Sequence, residues 1–424
     1  MMFKKLFISF IFVSLVIYSS AQLINGSIII TEINYNNDST ISSGDWFEVY
    51  NTSSSSVNMS NWILRDENIL NQFVLPQGTV LGGNQYLVFV DDTVKFHSRF
   101  PNVNNIIGEF QFGLSNKADK IRIYNEDIDL QYSVTYLDSA KWPKGADGEG
   151  RTLELVSPSS NPLLNTSWFD GCVGGSPGGP YIPCNPDLVF SELNYNSDTL
   201  YDCDDWVELW NRSTSPINLS GWELKDGKDT NIYVIPTLII PANSYLVFCN
   251  NVLKFDSIHP NITNKLGDIG FSFSNGGESV RLYDATGKLH FSWVYNDTVP
   301  FPITPDGGGY TLELLDPTGK MNSGANWFAG CFLGSPGKAY NPDCTNSISS
   351  ISETSTSILI NNNRLIINSA DNNYTVRLYD CLGRMIESQK DVNSIDLTKY
   401  LSGLYIVTVQ SKNRIFSELI SITR

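Results

Sequence analysis

The chain has 424 residues, of which 17% are charged and 12% aromatic, and its formal net charge is −16 at neutral pH. That length has room for two or three domains, and the scarcity of charged residues excludes a long-helix or coiled-coil protein. So acidic a surface repels phosphate backbones and anionic lipid, which argues against nucleic acid as a partner.

The N-terminus is read first. Lys4 and Lys5 precede an apolar run, Leu6 to Tyr18, that is short for a membrane-spanning helix, and Ser19-Ser20-Ala21 supplies small residues for cleavage. The pattern predicts a signal peptide over 1–21, cut between Ala21 and Gln22. No Cys follows to take a lipid anchor, and no later stretch predicts a transmembrane segment in the mature chain. Loss of the leader takes the net charge from −16 to −18. Residues 345–424 hold eight basic and seven acidic side chains, so about −19 resides in residues 22–344.

From Gln22 onward the chain repeats itself at an offset of 160 residues, falling to 159 after a one-residue gap. Ile30-Thr-Glu-Ile-Asn-Tyr-Asn36 returns as Phe190-Ser-Glu-Leu-Asn-Tyr-Asn196, and Asp45-Trp-Phe-Glu-Val-Tyr-Asn51 returns as Asp205-Trp-Val-Glu-Leu-Trp-Asn211. Tyr86-Leu-Val-Phe89 matches Tyr245-Leu-Val-Phe248, Thr152-Leu-Glu-Leu155 matches Thr311-Leu-Glu-Leu314, and Gly175-Ser-Pro-Gly178 matches Gly334-Ser-Pro-Gly337. The repeated pieces are short, β-branched or aromatic runs separated by Gly-Asn, Asp-Gly and Pro-Gly turns, which predicts strands. Only Val94–Phe100 and its counterpart Leu253–His259 predict a helical turn. Many short strands imply two antiparallel sandwiches, over 22–184 and 185–344.

In these residues each copy resembles a lamin-tail domain, an immunoglobulin-like β-sandwich. The likeness runs through Glu-(Ile/Leu)-Asn-Tyr, Asp-Trp-(Phe/Val)-Glu, Asn-(Met/Leu)-Ser-x-Trp and Tyr-Leu-Val-Phe, then Phe271-Ser-Phe-Ser-Asn-Gly-Gly-Glu-Ser-Val280. Copy one departs from it with Lys117-Ala118 where copy two has Gly276-Gly277, so that turn is expected to be rebuilt. The resemblance implies an extracellular interaction module.

Seven cysteines in an exported chain are expected mostly to pair. Cys172–Cys184 and Cys331–Cys344 stand at matching places in the copies, while Cys203 and Cys249 are both unique to copy two and are read as a third bridge. Loop-closure reasoning gives roughly 3 kcal/mol for each short bridge and about 4 kcal/mol for the long one. Cys381 is left as a free thiol.

Thr345–Ser357 is a Ser/Thr/Ile-rich linker, and 358–424 holds a further series of strand-length runs beginning with Leu359–Ile367. Its signatures are Val376-Arg-Leu-Tyr379-Asp380 with Gly383-Arg-Met, then Leu401-Ser-Gly403-Leu404-Tyr405-Ile-Val-Thr-Val409. This module resembles the type A C-terminal sorting domain of the Bacteroidetes type IX secretion system. The resemblance implies a partner, the type IX secretion machinery, for 358–424, and delivery outside the cell or onto its surface.

Chemistry is sparse. There are three histidines and none is repeated, no phosphate-binding glycine loop joins strand to helix, and Asp147-Gly-Glu-Gly150 with Asp306-Gly-Gly-Gly309 reads as tight turns. No enzymatic activity and no cofactor are expected. One acidic set recurs: Glu32, Asp45 and Glu48 return as Glu192, Asp205 and Glu208. Hard oxygen donors on neighbouring strands make these six the candidate calcium ligands, set against hydrogen-bonded structural carboxylates as the alternative. The expected function is an exported, non-catalytic surface interaction or adhesion protein, with a surface protein or polysaccharide as the partner of 22–344. The alternatives are an accessory module that binds an extracellular glycan on Trp142, or on Trp293 with Tyr295, and, more distantly, a cryptic hydrolase.

Overall fold

The computed structural model describes residues 26–139, 141–199, 201–342, 344, 357–361, 364–368, 373–380, 384–411 and 415–422. The proposed leader and its cleavage point, most of the proposed linker, and Cys381 and Gly383 lie outside the described residues. The chain forms two compact units, Met1–Cys344 and Thr345–Arg424, and is nearly all β.

Copy one contributes β1 (Ile28–Asn34), β2 (Trp46–Asn51), β3 (Ile63–Arg65), β4 (Phe73–Val74), β5 (Tyr86–Val90), β6 (Ile106–Gly108), β7 (Ala118–Tyr124), β8 (Leu130–Leu137), β9 (Leu153–Leu155) and β10 (Trp168–Asp170). Copy two repeats all ten: β11 (Leu188–Asn194), β12 (Trp206–Asn211), β13 (Glu223–Lys225), β14 (Ile232–Val234), β15 (Ser244–Cys249), β16 (Lys265–Gly267), β17 (Ser279–Tyr283), β18 (Leu289–Val294), β19 (Tyr310–Leu314) and β20 (Trp327–Phe332). Each copy stacks a six-stranded sheet, ordered β10-β9-β1-β2-β5-β6 or β20-β19-β11-β12-β15-β16, on a four-stranded sheet, β8-β7-β3-β4 or β18-β17-β13-β14. The parallel pairs β5/β6 and β15/β16 are crossed over by the short helices α1 (Thr93–Arg99) and α2 (Val252–Ile258), where helical turns are expected from sequence.

The period-two alternation explains which side chains face where. In β2, Phe47 and Val49 turn inward to meet Ile121, Ile123 and Val134 of the facing sheet, while Trp46 and Glu48 turn outward. The outer face is covered as well: Phe96 of α1 packs edge-on to Trp46, and the loop at Gly175 closes over Trp46 and Glu32. The six-stranded sheet is therefore buried on both sides. At the turn where copy two has Gly277 at φ +97°, Ser274 Oγ accepts from Gly276 N (3.3 Å), and in copy one the equivalent Ser115 Oγ accepts from the amides of both Lys117 and Ala118, 3.3 Å each.

The copies dock head to tail. Arg151 is buried; its Nη1 donates to Gly171 O (2.8 Å) and its Nε to Ser292 O of copy two (3.2 Å). Ser292 Oγ donates to Glu149 O (2.6 Å), Tyr283 OH to Asp38 Oδ2 (3.0 Å), and Leu289 N to Thr40 Oγ1 (2.8 Å). Leu289 lies on Gly150, whose φ of +77° and lack of a Cβ permit that approach. In copy two the residues at the places of Glu149, Arg151 and Asp170 are Gly308, Tyr310 and Ala329, so this docking chemistry is not repeated.

The C-terminal unit is a second, smaller pair of sheets: β21 (Ser357–Asn361), β22 (Arg364–Asn368), β23 (Tyr374–Asp380), β24 (Met385–Lys390), β25 (Ser394–Asp396), β26 (Gly403–Ser411) and β27 (Ile415–Ile422). They are ordered β21-β22-β25 and β24-β23-β26-β27 around Leu365, Val376, Leu378, Val407 and Val409. The run expected over Leu359–Ile367 divides into two antiparallel strands, the first ending at Asn361 and the second opening at Arg364.

Candidate functional site

The most unusual chemistry in the chain is a row of glutamates across three neighbouring strands. Glu154, Glu32 and Glu48 are directly opposed on β9, β1 and β2, and Glu313, Glu192 and Glu208 on β19, β11 and β12. All six are buried. Like charges directly opposed are unfavourable, so the row requires hydrogen donors or protons.

The Gly-Ser-Pro-Gly loop supplies the donors. Ser176 N donates to Glu32 Oε1 (2.9 Å), Ser176 Oγ to Glu154 Oε1 (2.6 Å) and Gly178 N to Glu48 Oε2 (2.7 Å). Thr152 Oγ1 and Thr31 Oγ1 complete the set, each 2.7 Å from Glu32 Oε1 and Glu48 Oε1 respectively. Copy two reproduces it with Ser335 N and Oγ (2.8 and 2.7 Å), Gly337 N (2.5 Å), Thr311 Oγ1 and Ser191 Oγ (2.6 Å each). One buried oxygen in each row, Oε2 of Glu32 and of Glu192, receives none of these donors.

Burial pushes these carboxyls upward: Glu32 and Glu192 to about 7 against the pull of their hydrogen donors, and, with added repulsion from Glu32 or Glu192, Glu48 to about 8 and Glu154 and Glu208 well above their usual range. Glu313 is pushed to about 11. A proton on Glu154 or Glu313 supplies the hydrogen that the orphaned oxygen of Glu32 or Glu192 lacks.

Asp45 and Asp205 do not join these rows. Each accepts a backbone amide at 2.7 Å, from Leu114 and Phe273 respectively, and anchors the loop leading into β7 or β17. Burial raises both to about 7. Both oxygens of Glu48 and Glu208, and Oε1 of Glu32 and Glu192, already accept hydrogens, which leaves a calcium ion only Oε2 of Glu32 and of Glu192 on these four side chains. Among the described residues no group of three or more Asp, Glu, His or Cys has a metal-holding arrangement. The six candidate ligands thus divide into buried rows and loop anchors.

The cysteines are Cys172–Cys184 and Cys331–Cys344 disulfides, with Cα separations of 5.6 and 5.4 Å. The expected third bridge is absent: Cys203 and Cys249 are separate buried thiols. Cys249 sits opposite Trp206 in the ladder and turns its Sγ to Leu266 O (3.3 Å). Cys203 occupies the place of Ser43, whose Oγ accepts from the Trp46 indole (2.9 Å), and its Sγ meets Asn194 and Ser197 instead. Cys203 thus stands where copy one has a tryptophan-capping hydroxyl, and not as half of a cross-link.

Trp293 and Tyr295, expected as an exposed glycan surface, are core residues: Trp293 stacks on Trp327 with centroids 3.8 Å apart, and Tyr295 packs on Tyr195. Trp142 is also mostly buried, but lines a cleft of about 500 Å³ between the copies, facing Phe301 and Lys320 of copy two. Within the C-terminal unit, Asp380 takes Arg384 N and Nε onto its two carboxylate oxygens (2.9 and 2.7 Å), closing the β23–β24 hairpin beside Tyr379. Tyr405 opposes Asp380 and donates its OH to Leu401 O (2.9 Å); Gly403 opens β26, and Leu404 is exposed. No helix among the described residues is long and apolar enough to cross a membrane.

Comparison with known proteins places this architecture. The Lamin Tail Domain family model matches residues 23–138 and 183–297, and the Secretion system C-terminal sorting domain model matches residues 361–423. Each lamin-tail match ends before the strand carrying Glu154 or Glu313, so the third glutamate and the Gly-Ser-Pro-Gly loop lie beyond it. No curated protein matches. Among solved structures, the BSP domain of a biofilm associated protein aligns over 94% of this chain and 81% of that chain, at 10% identity and a TM-score of 0.14. The lamin-tail matches together take in more than half of the residues, and the chain belongs to the lamin-tail-domain family, with a secretion-system sorting domain at its C-terminus.

Proposed function

We propose that this is a non-catalytic interaction protein, exported by type IX secretion, whose two lamin-tail sandwiches bind a partner outside the cell. The observation that carries the reading is the joining of a sorting domain over 361–423 to two lamin-tail copies, both of non-catalytic kinds. The buried carboxyl rows are roofed by a loop and serve stability; they give no support to a hydrolase. On the sorting unit, Met385, Leu404 and Ile406 are exposed apolar side chains on β24 and β26, and offer the secretion machinery an apolar contact. Removing 358–424 is expected to hold the chain inside the cell envelope, detected by fractionation and immunoblot. Normal export of the truncated chain would overturn the sorting role. A second reading, binding of an extracellular glycan, is favoured by the cleft between the copies.

A further inference from the structure

The cleft between the copies has a composition unlike the rest of residues 22–344. In a segment with about −19 net charge, three lysines line one opening: Lys141 and Lys144 of copy one and Lys320 of copy two. All three are exposed, and none forms an ion pair among the described residues, whereas Lys225, Lys254 and Lys265 do. Lys320 Nζ stands 3.6 Å over the Phe169 ring, so the two copies meet at the rim through a cation held against an aromatic face.

The rest of the lining is mixed. Pro143, Phe169 and Pro300 give apolar faces, and Thr166, Asn296 and Ser323 give neutral hydrogen-bonding groups. Asp170, which also lines the cleft, accepts Ala146 N through Oδ1 (3.1 Å) and adds a carboxylate suited to a hydroxyl donor. Asn165 Nδ2 ties the Lys141 carbonyl at 2.7 Å, and Trp142 stacks on Trp168 behind, so the copy-one wall is held in place. A volume of about 500 Å³ lies within the range of small-molecule sites, enough for one or two sugar rings.

We propose that this inter-copy cleft binds a sugar residue bearing a carboxylate, with Lys141, Lys144 and Lys320 holding the anion and the apolar and hydroxyl-binding walls holding the ring. A single acidic residue, at the end of a glycan, fits better than a long polyanion. The cleft concentrates positive charge locally, but the surrounding acidic surface repels an extended chain of negative charges. An acidic peptide is disfavoured because the walls offer several separate side-chain hydroxyl and amide groups in place of a strand of backbone partners. The proposal rests on the reading of residues 22–344 as an extracellular interaction unit.

The test is calorimetric titration of the full chain with digalacturonate, galactobiose and tetraglutamate, repeated on a Lys141→Gln/Lys144→Gln/Lys320→Gln variant. These lysines are exposed, and matching melting temperatures establish that the variant is folded. Digalacturonate is expected to bind, galactobiose to bind at least about tenfold more weakly, and the triple variant to lose about tenfold or more toward digalacturonate. Absence of digalacturonate binding, equal binding by the triple variant, or tighter binding of tetraglutamate would overturn the proposal. Retention of the exported chain on envelope fractions is measured in parallel with wild type and variant. If wild type is retained but ignores digalacturonate, the cleft assignment fails while the interaction reading stands; if neither ligand nor envelope is bound, both fail.

Discussion

Glu32 and Glu154 face each other across antiparallel neighbours β1 and β9, and the loop that roofs them sends its hydrogens to one oxygen of each. Two buried carboxylates so placed repel, and only a proton between them resolves both the repulsion and the orphaned Oε2 of Glu32. The same pair recurs as Glu192 and Glu313. The chain therefore carries two proton-dependent fasteners inside its sheets.

Stability is expected to fall as pH rises. Folding raises these carboxyls above their ordinary value of 4.5, so the folded state holds more protons than the unfolded chain above that pH. The stabilisation is complete below about pH 4.5 and is lost as pH rises through the folded values, near 7 to 8 for Glu32, Glu192 and Glu48 and toward 11 for Glu313, on the order of 3 kcal/mol for Glu32 alone. His259 opposes this on the acid side: burial pushes it down to about 4 from 6.5, so its contribution is present above 6.5 and lost as pH falls toward 4. Melting temperatures measured from pH 5.5 to 8.5 should decline by several degrees, and the decline should flatten in Glu154→Gln/Glu313→Gln. A rising or level profile in the wild-type chain would remove the proton-sharing account.

Ser176 and Ser335 each serve two glutamates, one through the backbone and one through the hydroxyl. Ser176→Ala keeps the amide contact and removes the other, with an expected loss of about 1–3 kcal/mol in denaturant melts. Gly175→Ala should be worse, because φ is +87° there and a Cβ would stand 2.7 Å from Glu32 Oε1 and 2.9 Å from Trp46. If Ser176→Ala melted like wild type, the loop would not be what secures the row.

Much of this was legible in the sequence, for an identifiable reason. The duplication doubled every signal, so strands such as Tyr86–Val90 and the helical turns after Val90 and Asn250 could be located twice. Glu32 and Glu48 belong to adjacent strands joined by a short connection, and that adjacency can be read locally. Glu154 cannot be, since its strand pairs with β1 from about 120 residues away; it served only as a letter in Thr-Leu-Glu-Leu. Its recurrence as Glu313, followed each time by Gly-Ser-Pro-Gly, was the available signal. Packing of one copy on the other left no repeating trace, because Arg151 and Asp170 have no counterparts in copy two.

Cys203 and Cys249 are expected to resist alkylation in the folded chain and to react fully once it is denatured without reductant. Peptide mapping should recover Cys172–Cys184 and Cys331–Cys344 but no peptide joining Cys203 to Cys249. Cys203→Ser restores the arrangement of Ser43 with Trp46, giving the Trp206 indole, which has no hydrogen-bond partner at present, an oxygen acceptor. It should be neutral or stabilising by up to about 1 kcal/mol. Destabilisation of the chain by that substitution would count against the reading of Cys203 as a substituted cap.

Calcium should leave the melting temperature where it is. All the carboxylate oxygens of Glu48 and Glu208, and Oε1 of Glu32 and Glu192, accept from Ser, Thr and Gly donors, so a cation held by more than the single oxygen Oε2 of Glu32 or Glu192 would have to break those contacts. Melts in millimolar calcium and in chelator at one ionic strength are the measurement; a reproducible upward shift with calcium would restore the six acids as ligands.

The docking of the copies offers the strictest test of how architecture and ligand site depend on each other. Arg151 reaches Gly171 O within its own copy and Ser292 O in the other, so Arg151→Met strands a buried carbonyl on each side, at an expected cost of about 2–4 kcal/mol. Gly150→Val adds a wedge against Leu289 where the backbone approaches closely. Neither change touches a lysine of the cleft; Arg151 also lies over the ring of Phe291 in the copy-two core, and Met keeps an apolar side chain against it. The double variant is expected to keep its secondary structure by circular dichroism, to show a larger radius of gyration by small-angle scattering, and to become cleavable between residues 179 and 187. Digalacturonate binding should fall with it, although all three lysines remain, because Lys320 would no longer stand over Phe169. Undiminished binding in a chain whose copies have separated would show that one copy alone suffices, and that the cleft is not the site.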